Sequence, residues 1–498
     1  MRSGAKSAFP LALIGPLLIA SLAALGMLLS APGCTFLLDL DQCESDSDCG
    51  EFEECGSDNL CQEVDREMVS NHIVEDTTWT NDRTYVLTDM VMVIPPAVLT
   101  IEPGTQIRGM PEAGLVSRAG ARIEAEGTRD EPIVFTSDQP VGQRLAGDWA
   151  GLALVGRAPT NRDNFRLRVD SVEHGKPEVG GNSPTANCGT LRYVRVEFGG
   201  SEVDVEVDGE MRREKALNGI TLAGCGSDTT VEYVQSHLSD DDGIVAFGGN
   251  VDIRHAVATR AQNDGFGFDT GWHGTAQYLA VLQDFGGEDA IEVQNLFEDH
   301  DADDPLSGGH IYNFTALSTT PETDWQVGLY FKRGGRGVLS HGIVQGHPTS
   351  GLYVEGAASV DALENGDLAV KNTIFNDIGG DGQTYFGLVD NEVYTDPADQ
   401  ERELQNHGAY PDYEFFNDYE LHFQSEEANN LFGVDPEFQG DPTDLSNPAW
   451  VPERTYTTGS SIDPPPEDLG FDPTGVYRGA FRPDATPWTE GWTAYPLH

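Results

Sequence analysis

The chain runs to 498 residues with 38% hydrophobic content, 57 glycines and a formal charge of −54, from 29 Lys and Arg against 83 Asp and Glu. A field of that sign repels phosphate backbones, which excludes nucleic acid as a main partner, and it attracts calcium, which prefers carboxylate oxygens. So little apolar material is poor for one compact enzyme core but ample for a thin repeat domain with appendages, and the glycines imply many turns.

In chain order, residues 1–33 read as a secretory signal peptide: Arg2 and Lys6, an uncharged apolar run, then small residues leading into Cys34. No second apolar run of about 18 or more residues follows, so nothing else is expected to span a bilayer. The stretch "LLSAPGC", ending at Cys34, resembles a bacterial lipobox. The resemblance implies that Cys34 is lipidated, that the mature chain starts there and is tied to the bilayer, and, with Thr35 following, that it goes to the outer membrane. Removing Cys34 leaves six cysteines, an even set for an oxidising compartment. Cys43, Cys49, Cys55 and Cys61 would make two disulfides in a segment too short and polar to fold on a core of its own. Cys188 and Cys225 would make a third bridge. A zinc site is the alternative for the first four, but their spacing does not match CxxC knuckles. Residues 34–66 carry eleven acids and one arginine and read as a self-repelling stalk. The "CESDSDC" pattern resembles the small modules that follow the anchor in myxobacterial-type lipoproteins.

The β-helix is expected over residues 67–380; from about residue 83 the chain reads as short β-rich runs cut by Gly and Asp, with no convincing amphipathic helix before 380. A period emerges at Gly219, Gly243, Gly265, Ala290, Gly328 and Gly351, with spacings of 24, 22, 25, 38 and 23 residues. Each unit reads small–apolar–any–apolar. One apolar column is Ile220, Ile244, Phe266, Ile291, Leu329 and Leu352, the other Leu222, Ala246, Phe268, Val293, Phe331 and Val354. Alternation puts both on one face. Every unit carries a second strand, such as "VDIRHAVAT" or "TAQYLAVLQ". Two strands and tight turns in so short a unit predict one coil of a parallel β-helix, whose core exists only when coils stack. Leucine-rich repeats of similar length need LxxLxL, which is missing. Long insertions fall at 158–217 and 296–309, and the first is a candidate binding region. "DPADQERELQNHG" predicts a short helix. Residues 381–498, acidic and aromatic, are expected to fold back over the last coil and cap it.

These coils resemble the right-handed β-helices of the pectin-lyase-like superfamily. Pieces such as "EAEGTRDEPIVFTSD", "LRYVRVEFGG", "LNGITLAG", "SDDDGIVAFGG" and "NDGFGFDTGW" look more closely like secreted bacterial β-helix lipoproteins. The resemblance implies an all-β right-handed solenoid at the cell surface and says little about activity.

Stacking at about 4.8 Å makes Asp242, Asp264 and Asp289, each just before a unit's small residue, a vertical ladder beside Asp240, Asp241, Asn263 and Glu288. Three readings stay open. Each Asp accepts backbone N–H bonds at its turn; or calcium bridges adjacent coils through Asp241, Asp242, Asp264 and Asp289; or two neighbouring carboxyls serve glycoside chemistry, with one kept protonated by the other. The order Asp264, Asp269, Glu288, Asp289, His310, Lys332, Arg333 resembles the polygalacturonase motifs. That likeness implies Asp289 as general acid, Asp264 with Glu288 on the water, and Lys332 with Arg333 on a uronate carboxylate. "DHDADD" offers Asp299, Asp301 and Asp303 as further calcium ligands, although Asp304 stands where an EF-hand needs Gly. His255 and His341 share a column with Tyr233, Tyr278, Asn313 and Asn372, which predicts a stacked ladder rather than a metal site. Trp272, Trp325, Tyr330 and Tyr353 are candidates for stacking on sugar faces.

The expectation is a surface lipoprotein that acts as a binding or structural scaffold for calcium and acidic or neutral extracellular polysaccharide. The alternative is a glycoside hydrolase or polysaccharide lyase on the same fold. No organic cofactor is implied, and no motif names a partner protein in the outer membrane. A cleft flanked by Asp264, Asp289 and Lys332 would favour the enzyme, and a filled face would favour the scaffold.

Overall fold

In the computed structural model, residues 53–55, 61–63, 65–162, 165–169, 175–207, 210–215, 217–284, 286–295, 304–319, 325–379, 385–389, 423–455 and 462–498 are described. Their strands build a right-handed parallel β-helix. Ten short strands, from Met90–Val93 to Phe386–Val389, form one sheet in which spatial order follows chain order. The two apolar columns are in register: Ile220, Ile244, Phe266, Ile291, Leu329 and Leu352 are successive partners, and so are Leu222, Ala246, Phe268, Val293, Phe331 and Val354. Leu115 and Leu152 extend the first column below and Phe386 above. All these side chains lie in one continuous core, because each coil closes the inner face its neighbour leaves open.

A second, sixteen-stranded sheet supplies the other walls. In the early coils each contribution is two strands with a loop between, as in Arg122–Glu126 and Ile133–Ser137. Both pair with the single strand Gly189–Glu197; from there to Gly337–Gln345 each coil has one long bent strand, and the next divides again into Leu368–Lys371 and Ile374–Asn376. The bend is a single residue with positive φ: Tyr193, Tyr233, His255, Tyr278, Asn313 and His341, with φ between 49° and 64°. The ladder skips it, passing from Glu232↔Arg254 to Val234↔Ala256. One left-handed residue turns an extended chain through a corner, a conformation Asn and His tolerate better than Tyr. The cost to the tyrosines is offset by stacking. Ring centroids are 4.5 Å apart for Tyr193 and Tyr233, 4.4 Å for Tyr233 and His255, and 4.7 Å for His255 and Tyr278. This is the expected ladder, with His255 inside it.

The Cys188–Cys225 disulfide is present, with Cα atoms 5.7 Å apart. Cys61 is disulfide-bonded, and Cys55 lies opposite it in a short antiparallel pair. Cys34, Cys43 and Cys49 lie outside the described residues, as do the signal segment, Asp299, Asp301 and Asp303, and the helix expected from "DPADQERELQNHG". The insertion after residue 158 lays Phe165, Leu167, Val169 and Val179 over the outer face of the ten-stranded sheet, against Ala153, Val155 and Ala223. Its second part is an antiparallel hairpin, Glu202–Val207 with Glu210–Lys215.

Two expectations need correction. A helix, Ala357–Asn365, stands between two coils where none was anticipated. It has only about two turns, between Gly356 and Gly366, and buries Ser359, Val360, Ala362 and Leu363, too short a pattern to show as amphipathic. The C-terminal region, expected as a cap on the last coil, divides in two. Residues 423–434 do close the end, where Leu431–Phe432 pairs with Ile374–Asn376. Residues 438–455 and 462–498 instead lie along the outer flank of the larger sheet, burying Val257, Ala280, Leu282 and Leu317 beneath Trp450, Phe481 and Trp488.

Candidate functional site

The aspartate corner is a hydrogen-bonded ladder. Asp242 N donates to Asn218 Oδ1 at 3.2 Å, Asp264 N to Asp242 Oδ1 at 3.1 Å, Asp289 N to Asp264 Oδ1 at 2.9 Å, and Val327 N to Asp289 Oδ1 at 3.0 Å. Each side chain therefore satisfies the backbone amide of the coil above it, which a turn just outside the sheet would otherwise leave unpaired. Asn263 Nδ2 adds a bond to Asp242 Oδ1 at 2.7 Å.

Asp264 and Asp289 also lie against Glu292. Its strand, Ile291–Val293, points Ile291 and Val293 inward and Glu292 outward, in register with Gly267 on one side and Tyr330 on the other. Gly267 leaves a gap that the Asp242 carboxylate uses: a Cβ there would stand 3.1 Å from Asp242 Oδ2 and 3.0 Å from a Val245 methyl. Asp264, Asp289 and Glu292 each offer an oxygen within 4.8 Å of the others. They are 2%, 1% and 3% exposed. The Lys332 ammonium is ion-paired with Glu292 and lies 4.8 Å from the Tyr330 ring centroid.

Four buried carboxylates thus converge beside one ammonium, and their electrostatics follow. Burial, and then the charge of Glu292 and of the neighbouring aspartates, hold Asp242, Asp264 and Asp289 well above the usual carboxylate range. Asp269, outward on the same face, is pushed to about 7 by burial, against the pull of the Thr270 amide it accepts. Burial works to lower Lys332, but Glu292 outweighs it and keeps the ammonium charged.

Of the residues singled out from sequence, Asp242, Asp264, Asp289 and Lys332 come together. Glu288 is half-buried on the preceding turn, where its amide donates to Asn263 O at 3.0 Å; it lies outside the oxygen trio, although its charge helps to raise Asp264 and Asp289. Asp241 lies beside Asp242 and adds its charge there, outside the trio. His310 opens a strand of the other sheet, in register with Thr275 and Val338. Arg333 bonds Gln294. Of the polygalacturonase-like order, His310 stands apart on the other sheet, and the carboxyls of Asp264 and Asp289 are buried rather than open. Trp272 is fully buried against Phe268, and Tyr330 and Tyr353 are buried, with the Tyr330 hydroxyl on Glu355. These rings pack the protein and offer no open face to a sugar. Sequence reasoning missed Glu292. Its signal was there, as the "any" position of a unit whose outward neighbours are Val245, Gly267 and Tyr330, a column too apolar for a solvated face.

The sequence matches the pectate-lyase-like β-helix domain over residues 71–412. No curated protein and no solved structure matches the chain. The matched span is more than half of the chain and coincides with the stacked coils and the acid ladder, so this protein belongs to the pectate-lyase-like β-helix domain family.

Proposed function

We propose that the protein is a surface-displayed binding scaffold, anchored in the outer membrane through lipidated Cys34, which presents its β-helix to extracellular polysaccharide and uses calcium to lock its coils. The observation that carries this reading is the closure of Asp264, Asp289 and Glu292 around Lys332. Acids that hold backbone amides and are nearly sealed from water are placed to join coils, not to receive a pyranose. Calcium fits the donor set: all three are hard oxygen ligands, and each offers an oxygen within 4.8 Å of the others, close enough to share one ion with a small inward movement. The ion would relieve the repulsion that otherwise demands protons. The stalk at 34–66 and the charge of −54 suit a domain held off a membrane in a calcium-bearing medium.

The test incubates the mature protein with acidic and neutral polysaccharides, with and without calcium, and follows both retention and products. Calcium-dependent retention without new reducing ends or unsaturated products is expected. Product release that Asp289→Asn abolishes would replace the scaffold with an enzyme. Labelling with palmitate should be lost in Cys34→Ala.

A further inference from the structure

The C-terminal segment 462–498 crosses the flank of the solenoid three times. It starts where Asp463 O meets His341, reaches Arg254 at Gly470, and returns to donate from Gly479 N to His341 O at 2.8 Å. It then sets Trp488 and Trp492 edge-on against the ring ladder, 5.3 Å from His255 and 5.8 Å from Tyr193, and ends with Pro496 O on His237. The two histidines at its ends are built alike. His237 Nε2 lies 2.8 Å from Pro496 O and its Nδ1 2.7 Å from Thr259 Oγ1. His341 Nε2 lies 2.9 Å from Asp463 O and its Nδ1 2.8 Å from Ser340 Oγ. A carbonyl only accepts, so Nε2 carries the proton in both rings, and each Nδ1 is left to accept from a hydroxyl. We propose that this segment is a strap, held at both ends by a two-histidine latch that acid releases while the coils remain stacked.

A second proton on either ring places a charge where the side chain has no water: His237 is fully buried and His341 2% exposed. Burial is the largest influence, and it pushes both rings down to about 4 against the strap carbonyls of Pro496 and Asp463, which favour the proton. The charged groups facing His237 are Glu197, which favours protonation, and Arg260 and Arg195, which oppose it. Phe198 and Tyr495 meet its ring edge-on. Asp463 and Arg478 face His341 in the same opposed senses, beside the Tyr312 ring. In the strap itself, the Asp472 carboxylate accepts from the Tyr278 hydroxyl at 2.9 Å and the Thr474 amide at 2.9 Å. Burial acts to raise Asp472, but these bonds outweigh it, so its contribution is lost only at still lower pH.

Docked rings are held near 4, and the latch takes the ordinary value of 6.5 for a ring that release has exposed. Docking is therefore unaffected above that pH. Between it and about 4, each pH unit weakens docking about tenfold per histidine, and about a hundredfold for both.

Hydrogen exchange by mass spectrometry on the mature protein, corrected for intrinsic exchange at each pH, tests this. Strap peptides should open at least about tenfold per unit below pH 6 while peptides of the inward columns stay protected. In the double variant His237→Gln/His341→Gln, the side-chain amides can donate to the same carbonyls and do not titrate, so the strap should stay closed to about pH 4. A strap insensitive to pH, a variant that opens in step with the wild type, or strap and coils opening together would overturn the latch. Should the glutamines themselves undock the strap at pH 7, the wild type decides: strap exchange that rises in step with the ring titrations read by NMR supports the latch, and rings that titrate while the strap stays protected refute it.

Discussion

The solenoid has two corners that repeat coil after coil, one lined by Asn218, Asp242, Asp264 and Asp289, the other by Tyr193, Tyr233, His255, Tyr278, Asn313 and His341. Both arise from one rule, that residues a coil apart become neighbours about 4.8 Å apart. The outcomes differ because of charge. Neutral rings and amides gain with each added member, and the strap completes them with Trp488, Trp492 and backbone carbonyls. Carboxylates satisfy the amides above them equally well, yet each added member raises the cost of the next. The aspartate corner is thus complete in hydrogen bonds and incomplete in charge.

Substitutions should separate the two corners. Trp492→Ala removes a fully buried ring that touches Tyr193 and Tyr233 and holds the strap, and should cost about 3–5 kcal/mol in denaturant unfolding. On the acid side, Asp264→Ala strands the Asp289 amide and should cost about 1–3 kcal/mol. Asp264→Asn keeps the acceptor and removes the charge, so without calcium it should match or exceed the wild type above pH 7. Glu288→Gln, outside the cluster, should stay within about 0.5 kcal/mol.

The corners should also respond oppositely to pH. The folded-state values of Asp242, Asp264, Asp289 and Asp269 are raised, so their contribution is full below about 4 and is lost as pH rises through the folded values, which for Asp269 is about 7. The latch histidines are lowered, so theirs is full above 6.5 and lost toward 4. Calcium-free protein should therefore lose stability from pH 6.5 to 8, and Asp264→Asn/Asp289→Asn should flatten that decline. Melting curves across this range measure it.

The inward columns were legible because an apolar residue at every second position, repeated at a near-constant spacing, is what strands stacked over a shared core require and what helices or loops do not produce. The aspartate and ring ladders followed once the units were aligned. Glu292 was not legible as a ligand, because its meaning depends on Gly267 one coil below and Lys332 one coil above. The strap was misplaced for a related reason. After the bend, strands such as "HAVATR" and "YLAVLQ" are apolar on both faces, a pattern of burial on both sides. Val257, Ala280 and Ile343 therefore announced a covering layer, while the Trp- and Pro-rich tail that supplies it has no periodicity to say where it lies. The helix Ala357–Asn365 escaped because about two turns do not outweigh the β-rich context.

Thermal unfolding at pH 7 in EDTA and in millimolar calcium tests most directly whether the aspartate corner is a cation clamp. If calcium binds about a hundredfold more tightly than its concentration, the wild type should gain about 3 kcal/mol, read as a rise of several degrees, and Asp264→Asn/Asp289→Asn should gain nothing. Equal melting temperatures with and without calcium, or an equal gain in the variant, would contradict the clamp.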